Sequence, residues 1–250
     1  MAIDDARQQA LAALELLERF DSRLAAIDDI ERFDATFGVE TSLPVEPWEM
    51  EEASDATLRS NARYSPTPVR TIRQVIAACP IRHEDVSFVD LGSGKGRVML
   101  VASDFPFKRI VGVEISRSLC ETARQNCVRY RSDTQRCRAL EVHRQDVAEF
   151  AIPEDAGVIY LYEPVTAIIA EKVFVNIEAS VRRHPRTTVL CLVGQGLRSA
   201  IQRRPLWRQV GGTLSSPDDR YYDATLYTNG GRDEETALSG VPDRPSCGSP

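Results

Sequence analysis

The sequence predicts an α/β domain: a seven-stranded, mainly parallel sheet with helices on both faces, its last strand antiparallel, preceded by a helical extension. Three observations predict it. From residue 86 to residue 203 short apolar runs alternate with amphipathic stretches, the pattern of repeated βαβ units. The first of those runs ends in an acid and three alternating glycines before a helix begins. Two final apolar runs, Trp207–Leu214 and Tyr222–Thr228, lie close enough in sequence to pair as a hairpin, so the last strand is read as antiparallel.

Taken in order, residues 5–33 read as one helix, because Leu14, Leu17, Phe20, Leu24, Ile27 and Ile30 recur at spacings of three and four. Its apolar stripe needs a cover, either the main domain or the same helix of a second copy in a homodimer. From Phe37 to Asn61 the chain is acidic and carries Pro44 and Pro47, which oppose regular helix, so it reads as a connecting segment. Tyr64-Ser-Pro-Thr-Pro68 introduces a helix over Val69–Ala78, where proline suits the first turn. The alternation then reads as strands at Val86–Leu91, Arg109–Glu114, Leu140–Arg144, Gly157–Tyr162 and Thr187–Val193. Helices fall between them at Gly96–Ser103, Ser118–Tyr130 and Thr166–His184, with a short one at Leu197–Arg203. Residues 229–250 are Gly, Pro, Ser and charge with almost no large apolar side chain, and read as a disordered tail. The division expected is therefore an acidic helical extension with its connecting segment (1–62), a central ligand-binding domain (63–228) and the tail (229–250).

Composition bounds the function. With 250 residues, 42% of them hydrophobic and 27% charged, the chain suits one sizeable domain with a buried core. No apolar run approaches the about 18 residues of a membrane span, and the N-terminal residues carry acids in place of a basic start, so a cytoplasmic protein without a membrane partner is expected. Six cysteines form no C-x-x-C pair and only three histidines are scattered along the chain, so no metal site is expected and the cysteines read as reduced. Net charge is −6, yet residues 1–60 alone hold fifteen acids against five arginines. The mildly basic remainder gathers at Arg124–Arg144 and Arg198–Arg208; these read as solvated faces, and the sequence argues against nucleic acid as partner.

The residues that carry chemistry begin at Val86-Ser-Phe-Val-Asp90-Leu-Gly92-Ser93-Gly94-Lys-Gly96. Glycines permit a tight turn and let a ligand lie against bare backbone, while the N–H groups of the helix start point at it. Twenty-four residues beyond Asp90, the strand Arg109-Ile-Val-Gly-Val-Glu114 also ends in a carboxylate. In a parallel sheet that places Glu114 beside the glycine turn, at the edge where ligands bind, and a carboxylate there can accept both hydroxyls of a ribose. A nucleoside ligand follows, either a nicotinamide dinucleotide or S-adenosylmethionine. The dinucleotide fingerprint needs a third glycine three positions after the second, and Arg97 stands there.

The pattern Asp-x-Gly-x-Gly-x-Gly resembles motif I of class I S-adenosylmethionine-dependent methyltransferases, which have a Rossmann-like sheet. More closely, the stretch from Phe88 through Ile115, preceded by Tyr64-x-Pro-Thr-Pro, resembles a little-characterised bacterial group distantly related to the non-SET protein-lysine methyltransferases. The resemblance covers residues 33–195. It implies that Asp90 serves the methionine amino end, that Gly92, Ser93, Gly94 and Gly96 form the cradle, and that Glu114 with Ile115 holds the ribose side. It further implies that Asp146 and Val147 meet the adenine, and that Tyr64 and Thr67 belong to a loop across the cofactor. On the residues alone, Asp146 is equally a turn or helix cap and Tyr64 a packed side chain beside a proline-fixed helix start.

After the fourth strand, Tyr162-Glu163-Pro164 stands where the resemblance places an acceptor motif, usually Asn-Pro-Phe in this group. Glu163 replaces Asn, and Val165 removes an aromatic wall unless Tyr160, Tyr162, Tyr221 or Tyr222 supplies one. The function implied is methyl transfer to a protein lysine or other amine, with Glu163, Pro164 and Tyr162 at the acceptor. The alternatives are an inactive S-adenosylmethionine-binding interaction module and a nucleotide-dependent oxidoreductase.

Overall fold

The computed structural model describes residues 32–50, 63–162, 167–217 and 220–230. Nearly all of the expected N-terminal helix, the tail beyond residue 230, and Glu163 and Pro164 lie outside the described residues. The strands are β1 (Ser87–Leu91), β2 (Ile110–Glu114), β3 (Leu140–Arg144), β4 (Ala156–Tyr162), β5 (Val189–Val193), β6 (Arg208–Leu214) and β7 (Ala224–Thr228). The helices are α1 (Val69–Ala77), α2 (Arg97–Ala102), α3 (Arg117–Arg129), α4 (Ala167–Arg183) and α5 (Arg198–Gln202). Each end falls within two residues of the sequence-based expectation.

The seven strands form one sheet in the order β3-β2-β1-β4-β5-β7-β6. β1 to β5 run parallel, and β7 is antiparallel to both β5 and β6. The last strand is thus inserted between the fifth and the sixth. Strand order reverses about β1, which pairs with β2 on one side and β4 on the other, and such a switch point opens a crevice at the carboxyl ends of these strands.

Alternate residues of each strand feed opposite layers, as the pleat requires. Phe88, Ile110, Val158, Val189 and Cys191 meet α1 and α2 on one face. Val89, Val111, Ile159, Leu161, Leu190 and Leu192 meet Val173, Phe174 and Ile177 of α4 and Ile201 of α5 on the other. Because both faces are covered, β1, β2, β5 and β7 are buried along their whole length, and β5 reads as a continuous apolar run. Each fully buried aliphatic side chain stabilises by about 1.5–3 kcal/mol, so the sheet is a firm platform for its loops. The edge strand β3 instead exposes Glu141, His143 and Arg144, charges that discourage pairing with another chain. The β3–β4 crossover has no helix; Val147, Phe150 and Ile152 bury themselves from turns.

Residues 32–50 pack against the α2 and α3 side of the domain. Phe33 and Phe37 stack with Tyr130, at ring separations of 4.8–5.9 Å. Asn126 of α3 accepts from the Glu40 N–H and donates to the Glu40 and Lys95 carbonyls, each at 2.9 Å. Of the two basic stretches, Arg204 is only partly a solvated residue: it bridges Glu178 at 3.0 Å and lies over the Phe174 ring at 5.4 Å. Among the described residues no helix is long and apolar enough to cross a membrane.

Candidate functional site

The site starts where β1 ends. Asp90 is 3% exposed, and its Oδ2 has no hydrogen-bond partner among the described residues. Burial, with the Glu114 charge nearby, pushes its carboxyl up to about 8. Beyond it the chain turns through Gly92, Gly94 and Gly96, all with left-handed φ, and α2 begins at Arg97.

Two of these glycines are required for different reasons. At Gly94 (φ +52) a Cβ would overlap Cδ2 and Cε2 of the Tyr64 ring. At Gly96 (φ +84) a Cβ would come within 3.3 Å of Ala123 Cβ on α3, so this glycine serves the close approach of two helices. Tyr64 is held from behind: its hydroxyl donates to the Thr41 carbonyl at 2.8 Å, and its backbone pairs with Val45 in an isolated antiparallel bridge.

At the end of β2, Glu114 is 8% exposed and accepts from the backbone N–H of Gly94 and of Ser116, both at 2.9 Å. Desolvation raises its carboxyl above the ordinary range, opposed by these N–H groups. Glu114 therefore braces the glycine turn, with lone pairs to spare for a ligand. After β3, Asp146 accepts from the Ala148 N–H at 2.8 Å, so it caps a turn and also faces the crevice.

These elements enclose a cavity of about 380 Å³ over the carboxyl ends of β1, β2 and β4. Its lining includes Tyr64, Thr67, Asp90, Gly92, Ser93, Gly94, Glu114, Ile115, Asp146 and Val147 from the expected cofactor set, and Tyr162 from the expected acceptor set. Gly96 lies outside the lining, where its contact with Ala123 explains it instead. Sequence reasoning did not select Met50, Arg63, Ser65, Val98, Leu119 or Ile169, which also line it. Arg97, which breaks the dinucleotide fingerprint, lines it too; its guanidinium lies over the Phe33 ring at 4.9 Å and 3.4 Å from Asp34.

At the β4 end, Tyr160, Tyr162 and Tyr221 line the cavity. Tyr221 stands edge-on to Tyr162 (6.1 Å, 86°) and to Tyr222 (5.5 Å, 80°). Tyr221 comes from a 3-10 turn (Arg220–Tyr222) just before β7, far from any motif, and only the insertion of β7 beside β5 brings it here.

The strand order and the glycine turn after β1 define a Rossmann-like fold of the class I methyltransferase type. Comparison with known proteins finds similarity in sequence and in structure. Residues 50–150 match the model of the family described as "Histone methylation protein DOT1". A protein-lysine N-methyltransferase of Saccharolobus islandicus (strain REY15A) is 39% identical over 54 residues, which are 21% of this chain and 33% of that protein. The aligned segment thus spans about a third of the relative's length. Among solved structures, an RNA methyltransferase from Salinibacter ruber in complex with S-adenosyl-L-homocysteine is 22% identical, covering 65% of this chain and 91% of its own, with a TM-score of 0.45. The glycopeptide N-methyltransferase MtfA, complexed with the same molecule, is 13% identical over 64% of this chain and 88% of its own, with a TM-score of 0.49. The resemblance to non-SET protein-lysine methyltransferases seen in the motifs is therefore matched at the level of a family model, over the half of the domain that builds the glycine turn.

Proposed function

We propose that this chain is an S-adenosylmethionine-dependent methyltransferase whose acceptor is an amine, a protein lysine or a smaller molecule. The observation that carries the reading is convergence: ten residues singled out for the cofactor, spread from Tyr64 to Val147, line one cavity. Its volume falls within the roughly 300–1,000 Å³ of small-molecule sites. The fit to the cofactor is supported by the donor set. An orphaned buried carboxyl, Asp90, suits the cationic amino end; Glu114 suits ribose hydroxyls; Asp146 with Val147, Ile115 and Leu119 offers one acceptor amid apolar walls, as an adenine needs.

When bound, that cofactor supplies a methyl group already electrophilic on its sulfonium. The chain's own task is to align an acceptor and exclude water, which can supply several kcal/mol of the barrier without a strong general base. Tyr162 and Tyr221 form an aromatic corner at the acceptor end, a surface that attracts alkylammonium groups through their ring faces. On the sequence, Glu163 and Pro164 follow directly and are assigned to hold the acceptor nitrogen.

Transfer of labelled methyl from S-adenosylmethionine into a cell extract tests the reading. Labelled acceptor is expected with the parent, and at least roughly tenfold less with Glu163→Ala at unchanged cofactor affinity, since an alignment contact acts in the transition state. Cofactor binding with no label transferred to any acceptor would make the chain a binding module.

A further inference from the structure

One row of the sheet carries polar atoms that the protein itself does not satisfy. Across the sheet, Gly112 of β2, Asp90 of β1 and Tyr160 of β4 are register partners, so their side-chain positions share a face. Gly112 has no side chain, and its place is taken by Met99 Sδ, 2.2 Å from where a Cβ would stand, with the Ser93 hydroxyl beside it at 2.8 Å. The row therefore reads Ser93, Asp90, Tyr160. These residues are 5%, 3% and 0% exposed, all three line the cavity, and Ser93 Oγ, Asp90 Oδ2 and Tyr160 Oη each lack a hydrogen-bond partner among the described residues. The Thr67 side chain lies beside the Tyr160 hydroxyl.

Leaving one such group buried and unpaired is costly, and three in one row point to a ligand that satisfies them together. A carboxylate flanked by two hydroxyl oxygens offers three acceptors, the complement of the three donors on a primary ammonium. We propose that Ser93, Asp90 and Tyr160 form an ammonium-binding row on the cavity floor, with Tyr160 as a ligand-binding residue for the amino-acid end of the cofactor. This rests on the cofactor reading above and adds Tyr160 and the joint role of the row.

Tyr160→Phe deletes one oxygen and nothing else, which allows a sharp test with two ligands. S-adenosylhomocysteine carries the ammonium; 5′-methylthioadenosine shares the adenosine and sulfur but lacks the amino-acid part. Calorimetry should show the variant losing at least roughly tenfold in affinity for S-adenosylhomocysteine while 5′-methylthioadenosine binds as to the parent, because a bond to a charged group is lost for one ligand only. The ligand-free variant should melt no lower than the parent, since the hydroxyl removed had no partner. Unchanged affinity for S-adenosylhomocysteine, or an equal loss for both ligands, overturns the row. If the parent binds neither ligand, the cofactor reading fails and takes the row with it, an outcome distinct from a parent that binds both and a variant that treats them alike.

Discussion

Replacing Gly94 by Ala should disturb folding and binding through a single named contact. The backbone there has φ +52, a conformation that costs a residue with a Cβ about 1–2 kcal/mol. The new methyl would also overlap the Tyr64 ring, so the ring must retreat. Tyr64 cannot swing away freely, because its hydroxyl bond to Thr41 and its backbone bridge to Val45 hold it. Giving up that hydroxyl bond adds about 0.5–1.5 kcal/mol and lost packing a similar amount, for a total near 2–5 kcal/mol. In a Tyr64→Ala background only the backbone part should remain, so the two substitutions should couple by about 1–3 kcal/mol. Urea unfolding of the four proteins in the cycle measures this directly. Additivity to within about 0.5 kcal/mol would refute the placement of Tyr64 on the glycine turn.

Glu114→Gln should destabilise the chain by about 1–3 kcal/mol and weaken S-adenosylhomocysteine binding, since the amide must aim an N–H₂ at either the Gly94 or the Ser116 N–H; a variant as stable as the parent would remove Glu114 as brace of the turn. The Asp90 carboxyl, ordinarily near 3.8 and here raised to about 8, makes the folded chain hold a proton that the unfolded chain releases. Its contribution to stability is therefore complete below about pH 4 and is lost as pH rises towards 8, with a limiting slope of about 1.4 kcal/mol per pH unit. Asp90→Asn should flatten the fall of melting temperature between about pH 5 and 8, and parallel curves for parent and variant would contradict this. By the same titration, S-adenosylhomocysteine binding below pH 8 should release a proton, visible as a dependence of the calorimetric heat on the buffer's ionisation enthalpy; a buffer-independent heat would tell against Asp90 meeting the ammonium.

How much of this was legible follows from the physics of each element. Strands β1, β2, β4 and β5 announce themselves because burial on both faces leaves largely apolar runs, and the acid or glycine at each end marks where the chain meets the crevice. Asp90 and Glu114 stand out because each lies at the end of a buried parallel strand, whereas Asp146, two residues beyond the exposed edge strand β3, stands out only through the family resemblance. Sequence cannot report which side chains face each other across the fold. Gly94 reads as a cradle glycine, yet its missing Cβ makes room for Tyr64 from thirty residues upstream, and Gly96 makes room for Ala123. The final hairpin was legible from its length, whereas the insertion of β7 beside β5, which delivers Tyr221 to the cavity, depends on sheet packing with no local signal. Tyr160 reads from the sequence only as a candidate for an aromatic wall, and its place beside Asp90 emerges with the strand register.

The melting temperature of the chain with S-adenosylhomocysteine or NAD added tells whether this cavity is built for S-adenosylmethionine or for a dinucleotide. At a hundred times its dissociation constant a ligand of the folded state stabilises by about 2.7 kcal/mol. For a domain of this size that raises the melting temperature by about 5–10 °C. Such a shift is expected with S-adenosylhomocysteine and none with NAD at the same concentration, because Arg97 occupies the position where a dinucleotide site needs glycine. A shift with NAD that equals or exceeds the shift with S-adenosylhomocysteine would contradict this.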